Sequence, residues 1–233
     1  MANLHRWRAR VAPLRSGCMA ILLALLITMV FILPVVAASN SAIGQIAQDV
    51  LLSLILLSGV VEASTNSKEF AFITLVALVV ITVRWVGWLS PTGLSLPVRD
   101  VATLLALVLL AVVIAMKVFA SHTVTKDRIS GAIVFYILAG LVWADAYQLI
   151  MLYVPRAFAG ISTLEGAVDR STWVYFSFAT LTTVGYGDIV PVAPIARSLS
   201  NLEALIGQLY PAIVLARLVS LQVAGGSSGA KES

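Results

Sequence analysis

Thr183, Val184, Gly185, Tyr186, Gly187 and Asp188 follow one another between two long apolar stretches. Glycine accepts positive φ without a Cβ clash, so glycines at alternate positions allow a backbone that reverses its twist at every second residue. In such a backbone successive carbonyl oxygens turn to one side, and Val184 and Tyr186 face away into packing. Several copies of the loop around an axis would form a ladder of oxygens able to replace the hydration shell of a cation. Thr183 adds a hydroxyl oxygen at one end. Weak binding at adjacent sites lets ions displace one another, so the chemistry is permeation rather than catalysis.

A loop of this kind must be held at membrane depth by helices. Hydrophobic residues make up 60% of the chain and charged ones 11%, and the mean hydropathy is +1.01, far from the balance of a soluble domain. A span needs roughly 20 mostly apolar residues, and the segments 17–38, 70–89, 101–120, 129–153 and 195–223 qualify. The segment 41–63 is weaker, because Gln45, Gln48 and Asp49 dilute its first turns. Arg6, Arg8, Arg10 and Arg15 place the amino terminus in the cytoplasm by the positive-inside bias. A loop entered from outside then requires an even number of preceding spans, so six are expected and 41–63 is one of them. The basic start also resembles a signal peptide, but its apolar run exceeds the usual 7–15 residues; the first helix is read as retained. Trp85 and Trp88 fall where an interfacial aromatic belt is expected.

The division is thus a basic cytoplasmic segment at 1–16, a four-helix membrane bundle at 17–120, a pore module at 129–223 and a flexible Gly/Ser-rich tail at 224–233. Segment 101–120 carries Lys117 as its single charge, which argues against voltage sensing by an arginine ladder. The net charge of +4 comes from basic residues at the ends of apolar segments, not from a patch interleaved with aromatics, so no nucleic-acid partner is expected. His5 and His122 are the only histidines, and no metal, P-loop or nucleophile motif is present; the chain does not read as an enzyme and implies no cofactor. The lone Cys18 reads as membrane packing.

Before the loop, 173–182 is apolar but too short to span. It fits a half-helix descending from outside, whose carboxyl end carries about half a negative charge toward the bilayer centre. Outer helix, half-helix, TVGYGD loop and inner helix occur in that order from 129 to 223, and this order resembles the tetrameric potassium channel family. The resemblance implies an all-α membrane protein in which six transmembrane helices and a re-entrant pore helix with its filter loop assemble as a homotetramer among membrane lipids. It also implies passive conduction of K+, with Thr183, Val184, Gly185 and Tyr186 coordinating the ion and Gly187 completing the filter. Thr182 and Asp188 flank the filter as support. Tyr175 and Phe176 stand where members often carry a tryptophan pair, and would form an aromatic cuff around Tyr186.

Ala179 stands where some members place a glutamate behind the filter. Glu203, inside a predicted span, is expected either to replace it, hydrogen-bonding Thr180 or Ser177, or to be a solvated or Arg197-paired carboxylate near the helix end, whereas Asp145 reads as structural. Gly207 and Pro211 weaken the inner helix together and suggest a gating hinge or a kink for close packing. Leu215 and Val219 follow on the same face as a candidate inner gate. A short chain without elaborate cytoplasmic domains suggests a prokaryotic plasma membrane. The competing readings are a weakly selective cation channel and a non-conducting regulatory subunit.

Overall fold

The computed structural model describes residues 18–37, 41–63, 67–89, 96–120, 126–161 and 170–229. The amino-terminal segment 1–16 and residues 230–233 lie outside them. Helix α1 covers 18–37 and contains a π-helical turn at Thr28–Ile32. The turn precedes Pro34, whose ring clashes with the carbonyl four residues back in a regular helix. Then come α2 (Ser41–Ala63), α3 (Ser67–Leu89), α4 (Leu96–Ala120) and α5 (Lys126–Tyr153). The short α6 (Arg170–Leu181) leads into the glycine-rich loop, and α7 (Pro194–Gly229) closes the chain.

Among the described residues five helices are long and apolar enough to cross a membrane, α2 among them through Ile43–Val61, while α3 offers the apolar stretch Ile73–Val86. The acidic residue that dilutes 41–63 is met inside the bundle. Arg84 of α3 pairs with Asp49 of α2, both buried, and Arg84 Nη1 donates to Thr103 Oγ1 of α4 at 2.9 Å. Three helices therefore share one polar triad. Around it Leu22, Leu26, Ile55, Leu107, Ile114, Leu138 and Leu141 are completely buried. Lipid is as apolar as these side chains, so close packing and interhelical hydrogen bonds hold such helices together. Cys18 is buried, its Sγ against the carbonyl of Ser58 at 3.4 Å, in keeping with a packing role.

Two features depart from the sequence expectation. The stretch after α5, to which the sequence pattern assigns no element, contains Phe158–Ala159 (β1), which pairs antiparallel with Val190–Pro191 (β2) just beyond Asp188. The amides of Val192 and Ala193 both donate to the Ala157 carbonyl, at 2.8 and 3.1 Å. Two-residue strands carry no readable alternation, which is why the pattern was silent. The second departure is at the carboxyl end, where α7 continues to Gly229, into the segment expected to be a flexible tail. Once a helix is nucleated, each further residue adds a hydrogen bond for little cost.

The triad yields a stability prediction. Arg84→Leu leaves Asp49 buried without its guanidinium and should cost about 3–5 kcal/mol, while adding Asp49→Leu should recover most of the loss. Unfolding midpoints in detergent measure both, and a wild-type midpoint for the single variant contradicts the assignment.

Candidate functional site

Helix α6 has 12 residues, so it is about 18 Å long at the α-helical rise and too short for a hydrocarbon core of about 30 Å. It begins three residues before the expected start and ends one before the expected end. Its buried side carries Trp173, Val174, Phe176, Ser177 and Leu181. Immediately after it the backbone takes positive φ at Thr183 (58°), Gly185 (56°) and Gly187 (78°). The alternation expected at the two glycines is present and starts two residues earlier, on a β-branched residue for which this region is strained. Nothing lies within 4 Å of a Cβ added at Gly185 or Gly187; at both, the backbone twist rather than crowding calls for glycine.

The loop is tied back to α6 by its amides. Val184 and Gly185 N–H both donate to the Ala179 carbonyl, at 2.9 and 3.1 Å, and Thr183 N–H donates to Thr180 at 2.9 Å. Thr182 satisfies its hydroxyl locally, donating to Phe178 at 2.6 Å. Gln208 of α7 reaches across to donate to Thr183 Oγ1 at 2.8 Å, a contact the sequence pattern gave no reason to expect.

Tyr175 and Phe176 part company. Tyr175 stacks on Tyr186 with centroids 5.9 Å apart and planes at 10°, and donates its hydroxyl to Asp188 Oδ2 at 2.7 Å. Phe176 instead turns into an aromatic cluster with Tyr147 at 4.9 Å and Phe158 at 5.3 Å. Phe176 therefore contributes nothing to a cuff around Tyr186 within the chain. Neighbouring residues on a helix point about 100° apart, so only one of the two can face the loop. Val184, expected to pack, is exposed within one chain.

Glu203 is fully buried between α5, α6 and α7. It accepts from Ser177 Oγ at 2.5 Å and from Tyr147 Oη at 2.5 Å. Of the two partners expected for it, Ser177 is the one in contact; the Thr180 hydroxyl donates to Phe176 within its own helix. Tyr147, the second donor, was not singled out because a tyrosine in an apolar span carries no periodic signal. Asp145 pairs with Arg170, whose Nε lies 2.7 Å from Oδ1.

Gly207 is buried against the end of α6. A Cβ there would fall 1.9 Å from the Leu181 carbonyl oxygen, so close approach of two backbones accounts for the glycine. Pro211 lies within a continuous α7 and cannot donate to the carbonyl of Gly207 four residues back. Nearby, Tyr210 donates to Ala132 at 2.9 Å and packs on Phe135 at 4.9 Å. Leu215 and Val219 are exposed within one chain.

Residues 129–223 match the family model Ion_trans_2, an ion channel. Over 108 residues the chain is 29% identical to Protein LctB of Bacillus caldotenax, covering 45% of this chain and 79% of that one. It is also 29% identical over 108 residues to Protein LctB of Geobacillus stearothermophilus, with 44% and 78% covered. A stretch of 39 residues is 46% identical to the inward rectifier potassium channel Kirbac3.1 of Paramagnetospirillum magnetotacticum, covering 17% of this chain and 13% of that protein. No solved structure gives a significant match. The matched segment, similar to an ion-channel domain, contains two of the five apolar helices among the described residues and follows the other three; this makes a multi-pass membrane protein and points to a channel rather than an enzyme.

Two outcomes test this geometry. The Tyr175 hydroxyl stabilises the anion and holds the Asp188 carboxyl below the usual carboxylate range. A depressed folded pKa means a contribution present above the unfolded value of about 3.9 and lost as pH falls through the folded value. Tyr175→Phe should therefore move the Asp188 titration upward, as read from its carboxyl carbon shift; an unmoved titration contradicts the hydrogen bond. Gly207→Ala should lower stability by about 1–3 kcal/mol through overpacking against Leu181, measured as a shift in unfolding midpoint.

Proposed function

We propose that the chain is the subunit of a potassium-selective channel, four copies of which surround a pore. The observation that carries this reading is the alternation of positive φ at Thr183, Gly185 and Gly187 directly after a helix too short to span. Such a backbone turns the carbonyl oxygens of Thr183, Val184, Gly185 and Tyr186 to one side, where four copies would offer K+ successive cages of oxygen. Gly187 and Asp188 lead out of the filter, with Thr182, Tyr175 and Glu203 supporting it from the pore helix side. Phe176 belongs to the packing behind α6. The named potassium channel among the similar proteins favours the same ion.

One chain supplies one loop, so the functional unit is a homotetramer. The inner helix supports this: over an 18-residue window of Pro194–Ser220 only 11% is buried within the chain, against 50% over such a window of Asp127–Tyr153, and copies around the axis would cover the remainder. In this arrangement α6 is re-entrant, α3 completes six spans, and the amino terminus lies in the cytoplasm of a prokaryotic plasma membrane. Its carboxyl end aims a partial negative charge at the cavity, which favours a cation. Gly207 and Pro211 form the bend below the filter, and Leu215 and Val219 the narrow inner mouth. K+ is the permeant ion, and no cofactor takes part.

Purified protein in planar bilayers under a potassium gradient tests the proposal. The reversal potential should follow the potassium equilibrium value, and Gly187→Ala, which forces a Cβ onto positive φ, should abolish the current in a correctly assembled tetramer. A reversal potential near zero overturns potassium selectivity in favour of a weakly selective pore. Silent wild-type tetramers favour a regulatory subunit.

A further inference from the structure

Helix α6 begins with Arg170, a cation at the end of a helix where the macrodipole is positive. Taken alone that placement is unfavourable, and Asp145 of α5 offsets it: Nε and Nη2 of Arg170 lie 2.7 and 2.6 Å from Asp145 Oδ1. One turn further along α5, Gln148 Nε2 donates to Asp100 Oδ2 of α4 at 3.0 Å. Next to Asp100, the Arg99 carbonyl accepts from Thr103 Oγ1 at 2.9 Å, and Thr103 in turn accepts from the Arg84 guanidinium that holds Asp49. Polar contacts therefore approach α6 in two groups, Arg84–Thr103–Arg99 with the neighbouring Asp100–Gln148 on the bundle side and Asp145–Arg170 at the first residue of α6, joined by one turn of α5 between Gln148 and Asp145. Toward the other end of the α4–α5 boundary Val118 meets Gly131, and Arg128 Nη2 donates to the Val118 carbonyl at 2.6 Å.

Stability gives little reason for this chain of charges. Ion pairs at membrane depth are costly, and apolar replacements of similar volume are often as stable or more so. The chain is also incompletely satisfied: Asp145 Oδ2, Gln148 Oε1, Arg99 Nε and Arg170 Nη1 are buried with no hydrogen-bond partner. A fully satisfied network locks one arrangement, whereas a partly satisfied one retains capacity to exchange partners. We infer that the four-helix bundle acts on the filter through this outer polar chain, with Asp100, Gln148, Asp145 and Arg170 as positioning residues that set how firmly the amino end of the pore helix is held. The inference rests on the channel reading for its consequence, and on the contacts alone for its mechanics.

Gln148→Leu is the decisive variant, because it cuts the chain on the bundle side and leaves Asp145, Arg170 and the filter intact. Amide hydrogen exchange in detergent should rise by about fivefold or more in 171–181, with α2 and α3 unchanged, and open probability in bilayers should change while the reversal potential stays fixed. Asp145→Asn should do the same, and the exchanged pair Asp145→Arg with Arg170→Asp should return exchange in 171–181 toward wild type. Unaltered exchange and open probability in Gln148→Leu overturn the inference, as does a uniform rise over all helices, which marks a structural role only. If wild-type protein carries no potassium current but the exchange in 171–181 responds, the channel reading fails and the coupling stands.

Discussion

The three helices of the carboxyl-terminal half meet at one carboxylate. Glu203 of α7 accepts hydrogen bonds from Ser177 of α6 and Tyr147 of α5, and all three residues are fully buried. A carboxylate in such surroundings is expensive unless its oxygens are engaged, so each helix is constrained in rotation and depth by the need to satisfy it. Once α6 is fixed in this way, Ala179 and Leu181 at its carboxyl end are fixed as well. The Ala179 carbonyl receives the amides of Val184 and Gly185, and the Leu181 carbonyl rests on Gly207. The loop inherits its position from a side chain twenty residues away in sequence.

The loop itself is a backbone under restraint. Positive φ at Thr183 is costly for a β-branched residue, and the neighbouring contacts maintain it: the Thr183 amide is bound to Thr180 and the hydroxyl to Gln208. On the far side the Tyr175 hydroxyl holds Asp188, and the β1–β2 pairing clamps the departing strand. Irregular backbone at membrane depth is tolerated only when protein or a water-filled cavity satisfies it. The inner carbonyls, bound by none of these contacts, are the groups left for an ion in the proposed pore.

The amino-terminal bundle follows a different logic. Its polar residues, Asp49, Arg84 and Thr103, satisfy one another across three helices, which is how a segment diluted by Asp49 joins an apolar bundle. Further polar contacts join α4 to α5 through Asp100 and Gln148 and α5 to α6 through Asp145 and Arg170, so the bundle and the carboxyl-terminal half share more than apolar contact. A single chain leaves much apolar surface on α7 exposed, including Leu202, Leu205, Leu209 and Ile213. That surface is compatible with lipid or with further copies, and the proposed tetramer uses it.

By itself the sequence determined what is local. Apolar length marks the membrane helices, the short apolar run at 173–182 marks a helix too short to cross, and glycines at 185 and 187 mark a backbone of alternating twist. Each follows from covalent geometry or from the cost of exposing peptide groups to lipid. Only the tertiary structure decided which distant groups meet: Phe176 turns away from Tyr186, Tyr147 joins Ser177 on Glu203, Arg170 finds Asp145, and Gly207 is required by a carbonyl that passes within bonding range of its absent Cβ. Pairings of this kind depend on helix rotation and on contacts across dozens of residues, and a single chain's periodicity carries no record of either.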